Sequence, residues 1–351
     1  MADCVAELEQ FLHDRCAYEV RFPAWIERLF APKPKIRRVA EILTKIHYHL
    51  RGDDLDEALQ RTRARLDSVE IDRTRPRPLV KITGEFFSAL AEGDANYNMF
   101  AFLEREGAEV AVEPISGLVM YWLYQARLHH QRRRGLEYPH KTARWFELRK
   151  QLANQWSFRK KDWLLAASDT IWTRQYHRTA ARLGDLARHL APQPLLARLA
   201  RPYYDPLTRG GEGHLEVAKS LYYSLENRCH MMLSLKPFGC MPSTQSDGVM
   251  AVVAGSHPEM LFLPIETSAD GEINALSRVQ MALGDAHRRA RRELDQAVRS
   301  TGRTLDEIRA YVQARRELRR PFYPFPRRKG VAGTAAQFVL HVADRMSREA
   351  S

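Results

Sequence analysis

The chain has 351 residues, 44% of them hydrophobic and 28% charged, a globular balance that excludes a mainly disordered protein. No run of 18 consecutive apolar residues occurs, so no transmembrane helix is expected, and the acidic start MADCVAELEQF lacks the basic-then-apolar order of a signal peptide. Four cysteines are too few for a disulfide scaffold, which favours a reducing cytoplasm; Lys+Arg 55 against Asp+Glu 43 gives +12 and raises the question of a nucleic-acid partner.

Residues 1–75 read as a helical N-terminal segment. Val5, Leu8 and Phe11-Leu12 form one apolar stripe, and Val39, Ile42-Leu43, Ile46 and Leu50 form a stronger one. A Pro-rich stretch from Pro32 to Lys35 separates them. The segment from Asp72 to Pro78, with three arginines and two prolines, reads as a linker. Leu79-Val80-Lys81-Ile82 then reads as a strand ending at Thr83-Gly84-Glu85. Asp94 is expected to cap a helix carrying Met99, Phe102 and Leu103 and ended by Gly107. Val110 to Pro114 is a second strand, which makes a β-α-β unit and implies parallel pairing.

Leu118, Tyr121-Trp122 and Ala126 mark another helix. From about 140 to 200 the pattern stays helical, with Trp145, Leu148, Leu152, Trp156, Trp163-Leu164 and Ile171-Trp172, and reads as an insertion between strands. A helix from His214 to Asn227 precedes a third strand, Met231 to Leu235. A helix from Ser243 to Ala254 precedes a fourth, Met260 to Glu266. Asn274 to Ser300 is a long helix, Leu305 to about Arg319 another, and the chain ends in a loop and a C-terminal helix. The expected architecture is α/β: a Rossmann-like parallel sheet of at least four strands within residues 76–285, a helical N-terminal segment over 1–75, and C-terminal helices over 286–351 packing on the core. Ligands of such sheets sit beyond the carboxyl ends of the strands. Those ends carry Gly84-Glu85, Glu113-Pro114, Pro237-Phe238-Gly239-Cys240 and Glu266-Thr267-Ser268.

The densest basic run, His287 to Arg292, and the pairs Arg315-Arg316 and Arg319-Arg320 are interleaved with acids such as Glu293 and Asp295. That pattern fits a solvated helical surface, and no helix-turn-helix, zinc-finger or RNA-binding aromatic signature accompanies it, so nucleic acid is not expected. A surface that docks an acidic protein or a CoA phosphate fits the charge equally. No GxxxxGK[ST] occurs, so no ATP site is expected in this chain. Gly210-Gly211-Glu212-Gly213 precedes a helix and reads equally as a turn or as an anion-binding helix N-terminus.

Cys229 and Cys240 flank a strand and cannot form a CxxC-type knuckle, and His129-His130 has no partner at i+4 and reads as helix surface. Cys4 and Cys16 are twelve apart and out of helical register with one another. Cys240 follows Pro-Phe-Gly at a strand end and precedes a helix. It reads either as a thiol at a helix N-terminus or as a small residue in a tight turn.

Longer motifs carry a family resemblance. The run LKPFGCMPSTQSDGVMAVV followed by MLFLPIETSADGEINALSRVQMALGDA resembles the C-terminal region of the acyl-CoA dehydratase activase-related proteins, the CoA activases or activators of 2-hydroxyglutaryl-CoA dehydratase. KITGEFFSALAEGDANYNMFAFLEREGAEVAVEPI and YPFPRRKGVAGTAAQFVLHVA are similar to other parts of the same region, so the resemblance runs from about residue 76 to 351 and is weak before that. The region is also similar to the subunits of 2-hydroxyacyl-CoA dehydratases. The resemblance implies Rossmann-like domains and a cysteine-held [4Fe–4S] cluster. It also implies low-potential electrons delivered by a separate ATPase activator of actin-like fold. It makes Cys240 a candidate cluster ligand and places Glu85, Glu212 and Glu266 at motif positions without assigned roles. Such clusters take three or four thiolates, and this chain holds four cysteines in all, two of them in the weakly matching N-terminal segment; a cluster that is incomplete here or shared with a cysteine-rich dehydratase-type subunit is therefore the expectation. The alternative is a non-catalytic scaffold or docking subunit of the same system without its own cluster.

Overall fold

A computed structural model describes residues 2–32, 34–134, 148–184, 190–208 and 211–350. Trp145 and Gly210 lie outside the described residues. The chain divides into two compact units. One comprises Met1–Ile71, Arg174–Arg188 and Arg316–Pro324; the other comprises Asp72–Thr173, His189–Arg315 and Phe325–Ser351.

The first unit is built on four helices, α1 (Ala2–Cys16), α2 (Ala24–Phe30), α3 (Pro34–Arg51) and α4 (Asp53–Leu66). Its interior is polar as much as apolar. Arg15 is buried, donates to the Tyr48 carbonyl oxygen at 2.9 Å and pairs with Asp54, while Tyr18 stacks on Tyr48 at 4.0 Å. Asp56 receives both Arg178 at 2.9 Å and Arg182 at 3.0 Å, and its carboxyl is held low by them against the opposing effect of burial. Cys4 is buried with its Sγ 3.8 Å from the Thr62 carbonyl oxygen.

The second unit is an α/β domain with four strands, all parallel, in the order β2-β1-β3-β4. They are β1 (Leu79–Gly84), β2 (Glu109–Ala111), β3 (Met231–Pro237) and β4 (Phe262–Thr267). Between them run α5 (Phe86–Leu90), α6 (Met99–Arg105), α7 (Ile115–Arg132), α8 (Leu148–Arg182, whose last residues belong to the first unit), α9 (Gln193–Ala200), α10 (Gly213–Leu225) and α11 (Met241–Ser256). α12 (Glu272–Thr301), α13 (Leu305–Gln313) and α14 (Thr334–Ala350) follow β4. The expected α/β architecture, with its parallel sheet of four strands and many helices, is the one observed.

Side chains alternate across the sheet, as the pleat requires. Val80, Ile82, Met231, Leu233, Leu235 and Ile265 form one face and are fully buried with Met99 and Leu103 of α6 and Val279 and Leu283 of α12. Burying each such side chain contributes about 1.5–3 kcal/mol. The opposite face carries Lys81, Thr83, Ser234 and Lys236 and is covered by α10.

Three local expectations need correction. Asp94 does not cap a helix: it opens a short 3-10 turn, Asp94–Asn96, and α6 starts only at Met99. The buried Asn96 amide organises that turn instead, donating to the carbonyls of Ser88 and Ala91. The helix expected from Leu305 to about Arg319 breaks after Gln313 and resumes as a 3-10 turn, Arg316–Arg319. His130 is buried rather than on a helix surface, because its ring stacks on Phe158 at 4.4 Å and its Nε2 lies 3.1 Å from the Phe158 carbonyl oxygen.

Candidate functional site

The strand order creates a switch point between β1 and β3. From β1 the chain proceeds to β2 on one side of the sheet, and from β3 to β4 on the other. The connections diverge there, and a crevice opens at the carboxyl ends of the two strands. Gly84 ends β1 with φ of 110°, where a Cβ would stand 2.1 Å from the Leu235 carbonyl oxygen, so only glycine lets β1 approach β3 this closely. The next residue, Glu85, donates its backbone N–H to that oxygen at 2.8 Å and caps α5, accepting from Phe87 and Ser88 at 3.0 and 2.9 Å.

The glycine-rich loop lies against the same crevice. A Cβ on Gly211 would come within 2.7 Å of Pro242 Cγ, and one on Gly213 within 2.8 Å of the Pro242 carbonyl oxygen. These glycines therefore admit the segment that follows Cys240. Glu212 between them is partly buried. Burial raises its carboxyl above the usual range, and the carboxylates of Glu85 and Glu216 add to the rise. The fourth loop joins through Tyr97, whose hydroxyl donates to the Ser268 carbonyl oxygen and accepts the Ser268 N–H, each at 2.6 Å. Tyr97 and Asn98 both have positive φ, 56° and 49°, a strained arrangement for residues with side chains. Beside this clamp is a cleft of about 470 Å³ whose walls include Phe238, Asp247, Glu266, Ser268, Asn274 and Arg278.

Beneath the crevice, between α10 and the polar sheet face, runs a buried seam of charge. Lys236, fully buried, lies 3.2 Å from Glu216 Oε1 and also pairs with Asp247, which reaches the cleft wall. Ser234 and Ser246 donate to the two oxygens of Glu216. Further along, Glu113 sits between Lys81 at 2.5 Å and Lys219 at 3.2 Å, with the Tyr223 hydroxyl at 3.4 Å. Burial works to raise the Glu113 carboxyl, but Lys219 and Lys81 together pull it down to about 2. Three lysines thus meet three carboxylates in a space that most parallel sheets fill with aliphatic side chains. Glu113, expected to face the crevice from the end of β2, is committed to this seam.

At the head of α10, His214 is buried between Tyr121 and Tyr204, and neither ring nitrogen has a hydrogen-bond partner. Burial pushes its pKa down to about 4, so the ring is neutral around pH 7.

Cys240 is the N-cap residue of α11 and is partly exposed at the carboxyl end of β3. Exposed Phe238 and Met241 flank it. Cys229 cannot join it: that thiol is buried at the opposite end of β3, 3.4 Å from Met232 Sδ, and a strand of this length separates the two by about 20 Å. Among the described residues no group of three or more His, Cys, Asp or Glu side chains is arranged to hold a metal ion. The crevice therefore supplies one thiol, which fits one ligand of a shared cluster and does not fit a cluster held by these residues alone.

Lys81, Lys236, Glu216, Lys219 and Tyr223 were not singled out from the sequence. The available signal was the lysine at the centre of LVKITG and the spacing of Glu216, Lys219 and Tyr223 on one face of a helix. Among the described residues no helix is long and apolar enough to cross a membrane. Comparison of the chain with models of known protein families, with curated proteins and with solved structures gives no match.

Proposed function

We propose that this chain is an iron–sulfur subunit of the 2-hydroxyacyl-CoA dehydratase/activase type. In this reading it acts in the cytoplasm, in ATP-coupled low-potential electron transfer, beside a separate actin-like ATPase activator and a cysteine-rich dehydratase-type subunit. The observation that carries the reading is the convergence of family-like motif loops on one crevice. Gly84-Glu85, Gly211 to Gly213 and Cys240 to Pro242, which lie far apart in the chain, meet at the β1/β3 switch point, with the loop after β4 beside them. Cys240 itself stands at the N-terminus of α11, a 16-residue helix.

The chain's own residues have definable tasks in this reading. Cys240 offers one thiolate, and the remaining ligands come from the partner. The Glu216–Lys236–Asp247 chain and the Tyr97–Ser268 clamp hold the crevice walls in place. A bound cluster would supply one-electron chemistry.

The test is anaerobic purification of the complex from its native host, with iron and acid-labile sulfide measured for the natural protein and for Cys240→Ala. The reading expects both elements in the natural complex and their loss in the variant. An intact anaerobic complex without iron overturns it and leaves the docking-subunit alternative. That alternative is favoured by the lone thiol of the crevice, and it expects Cys240→Ala to change nothing.

A further inference from the structure

The helix α3 is turned inside out. Its apolar residues Ile36, Val39, Leu43, Ile46 and Leu50 recur at intervals of three and four, an a/d repeat, and Ile42 widens the stripe on one side. In a helix that serves its own core this stripe faces inward. Here no residue of α3 is buried, and Ile36, Val39, Ile42, Leu43 and Ile46 are each between 48% and 61% exposed. The opposite face is the one engaged with the rest of the first unit. Tyr48 stacks on Tyr18, receives Arg15 and donates to Asp54 at 3.1 Å, and Arg37 pairs with Glu27 at 3.1 Å. Trp25 and Leu29 of α2 are exposed as well. Aliphatic exposure on this scale marks an interaction surface, unlike the scattered single residues of an ordinary exterior.

The charges beside the stripe say what covers it. Helical geometry puts Lys35, Arg38 and His49 along one flank and His47 and Arg51 along the other, all exposed. No acidic residue lies on either flank; Glu41, the one acid of α3, is on the inward side and pairs with Arg37 at 3.3 Å. A second copy of this helix would set Lys35, Arg38 and Arg51 against their own counterparts and bring no acid to the seam. The a/d spacing is that of helix-to-helix packing.

We propose that α3 is a docking helix for an amphipathic helix of a second protein, one whose apolar seam is bordered by Asp and Glu. The pairing joins aliphatic knobs along the seam and opposite charges at its edges. It is independent of the iron–sulfur reading, because none of its residues belongs to the crevice.

The experiment uses the full chain and a labelled three-heptad peptide with Leu at a and d and Glu at e and g, a peptide whose own charges oppose self-pairing. Fluorescence anisotropy is expected to show binding that weakens with salt. Leu43→Glu/Ile46→Glu is expected to weaken it at least about tenfold, and Lys35→Glu/Arg38→Glu to weaken it several-fold, whereas a peptide with Lys at e and g is expected not to bind. Because the substituted side chains are exposed, circular dichroism of the variants is expected to match the parent. Failure of the Glu peptide to bind, or undiminished binding by the variants, overturns the proposal. So does a dimer in sedimentation that Leu43→Glu dissociates, which would assign the face to a second copy. Co-sedimentation with phosphatidylglycerol vesicles that Leu43→Glu abolishes would assign it to lipid and overturn the proposal equally.

Discussion

Lys236 and Glu216 face each other across the interface of β3 and α10, both fully buried, with Nζ and Oε1 3.2 Å apart. Two charges withdrawn from water recover the cost of desolvation only through mutual attraction and further hydrogen bonds, here from Ser234 and Ser246 to Glu216 and from Lys236 to Asp247. Breaking the pair is therefore far more damaging than replacing it. Lys236→Met is expected to cost about 3–5 kcal/mol, and adding Glu216→Leu to recover much of that loss. Urea denaturation of the single and double variants checks this. A single variant within about 1 kcal/mol of the parent would mean that the pair is solvated in solution.

The second buried carboxylate sets an acid limit. Glu113 is held at about 2 in the folded chain by Lys219 and Lys81, against an ordinary value of 4.5. Its contribution is fully present above about pH 4.5 and is lost as the pH falls toward 2, an effect of about 3 kcal/mol. Glu113→Gln is expected to lower stability at pH 7, since it leaves Lys81 and Lys219 facing each other, and to flatten the dependence below pH 4.5. Urea midpoints measured across that range for both proteins check the difference. A parallel decline in the two would assign the acid sensitivity elsewhere.

A separate window belongs to His214. Its ring is buried neutral, with a pKa pushed down to about 4 from an ordinary 6.5. The unfolded chain takes up a proton there as the pH falls below 6.5 while the folded chain does not, so stability declines between pH 6.5 and 4 by about 3 kcal/mol. His214→Phe keeps the stacking partners Tyr121 and Tyr204 and removes the titration. The variant is expected to lose less melting temperature than the parent between pH 7 and pH 5, read by thermal denaturation. Equal losses would show that the ring is hydrated or bound to a partner in solution.

The sheet could be read from residues because β1, β3 and β4 are short apolar runs ended by glycine, proline or acid, and parallel strands demand buried faces. The crevice followed from topology; at it Glu212 lies near Glu85, and Gly211 and Gly213 pack on Pro242, two residues after Cys240. The seam did not follow. A lysine within an apolar strand reads as the solvated side of an alternation, and only the fold shows that α10 covers that side with Glu216 and Lys219. Periodicity likewise located the stripe of α3 without its direction, since spacing fixes which residues share a face and not what that face meets. Asn96, two residues beyond Asp94, organises the turn because its amide has both donor and acceptor: it donates to the Ser88 and Ala91 carbonyls, which a carboxylate cannot do, and accepts from the Gly93 and Met99 N–H groups.

Two glycines separate close approach from mere flexibility. Gly84 combines a φ of 110° with a virtual Cβ 2.1 Å from the Leu235 carbonyl oxygen, a distance that only backbone movement can relieve. Gly84→Ala must therefore push β1 away from β3 at the switch point, adding strain to a lost strand contact, and a cost above about 2 kcal/mol is expected. Gly248 is the matched control. It sits inside α11 with open space where its Cβ would be, so Gly248→Ala is expected to stabilise by about 0.5–1 kcal/mol through helix propensity alone. Thermal denaturation of the two variants should move in opposite directions. If both shift upward, the end of β1 is free to adjust, and the crevice between Glu85 and Cys240 is wider in solution than its glycine requires.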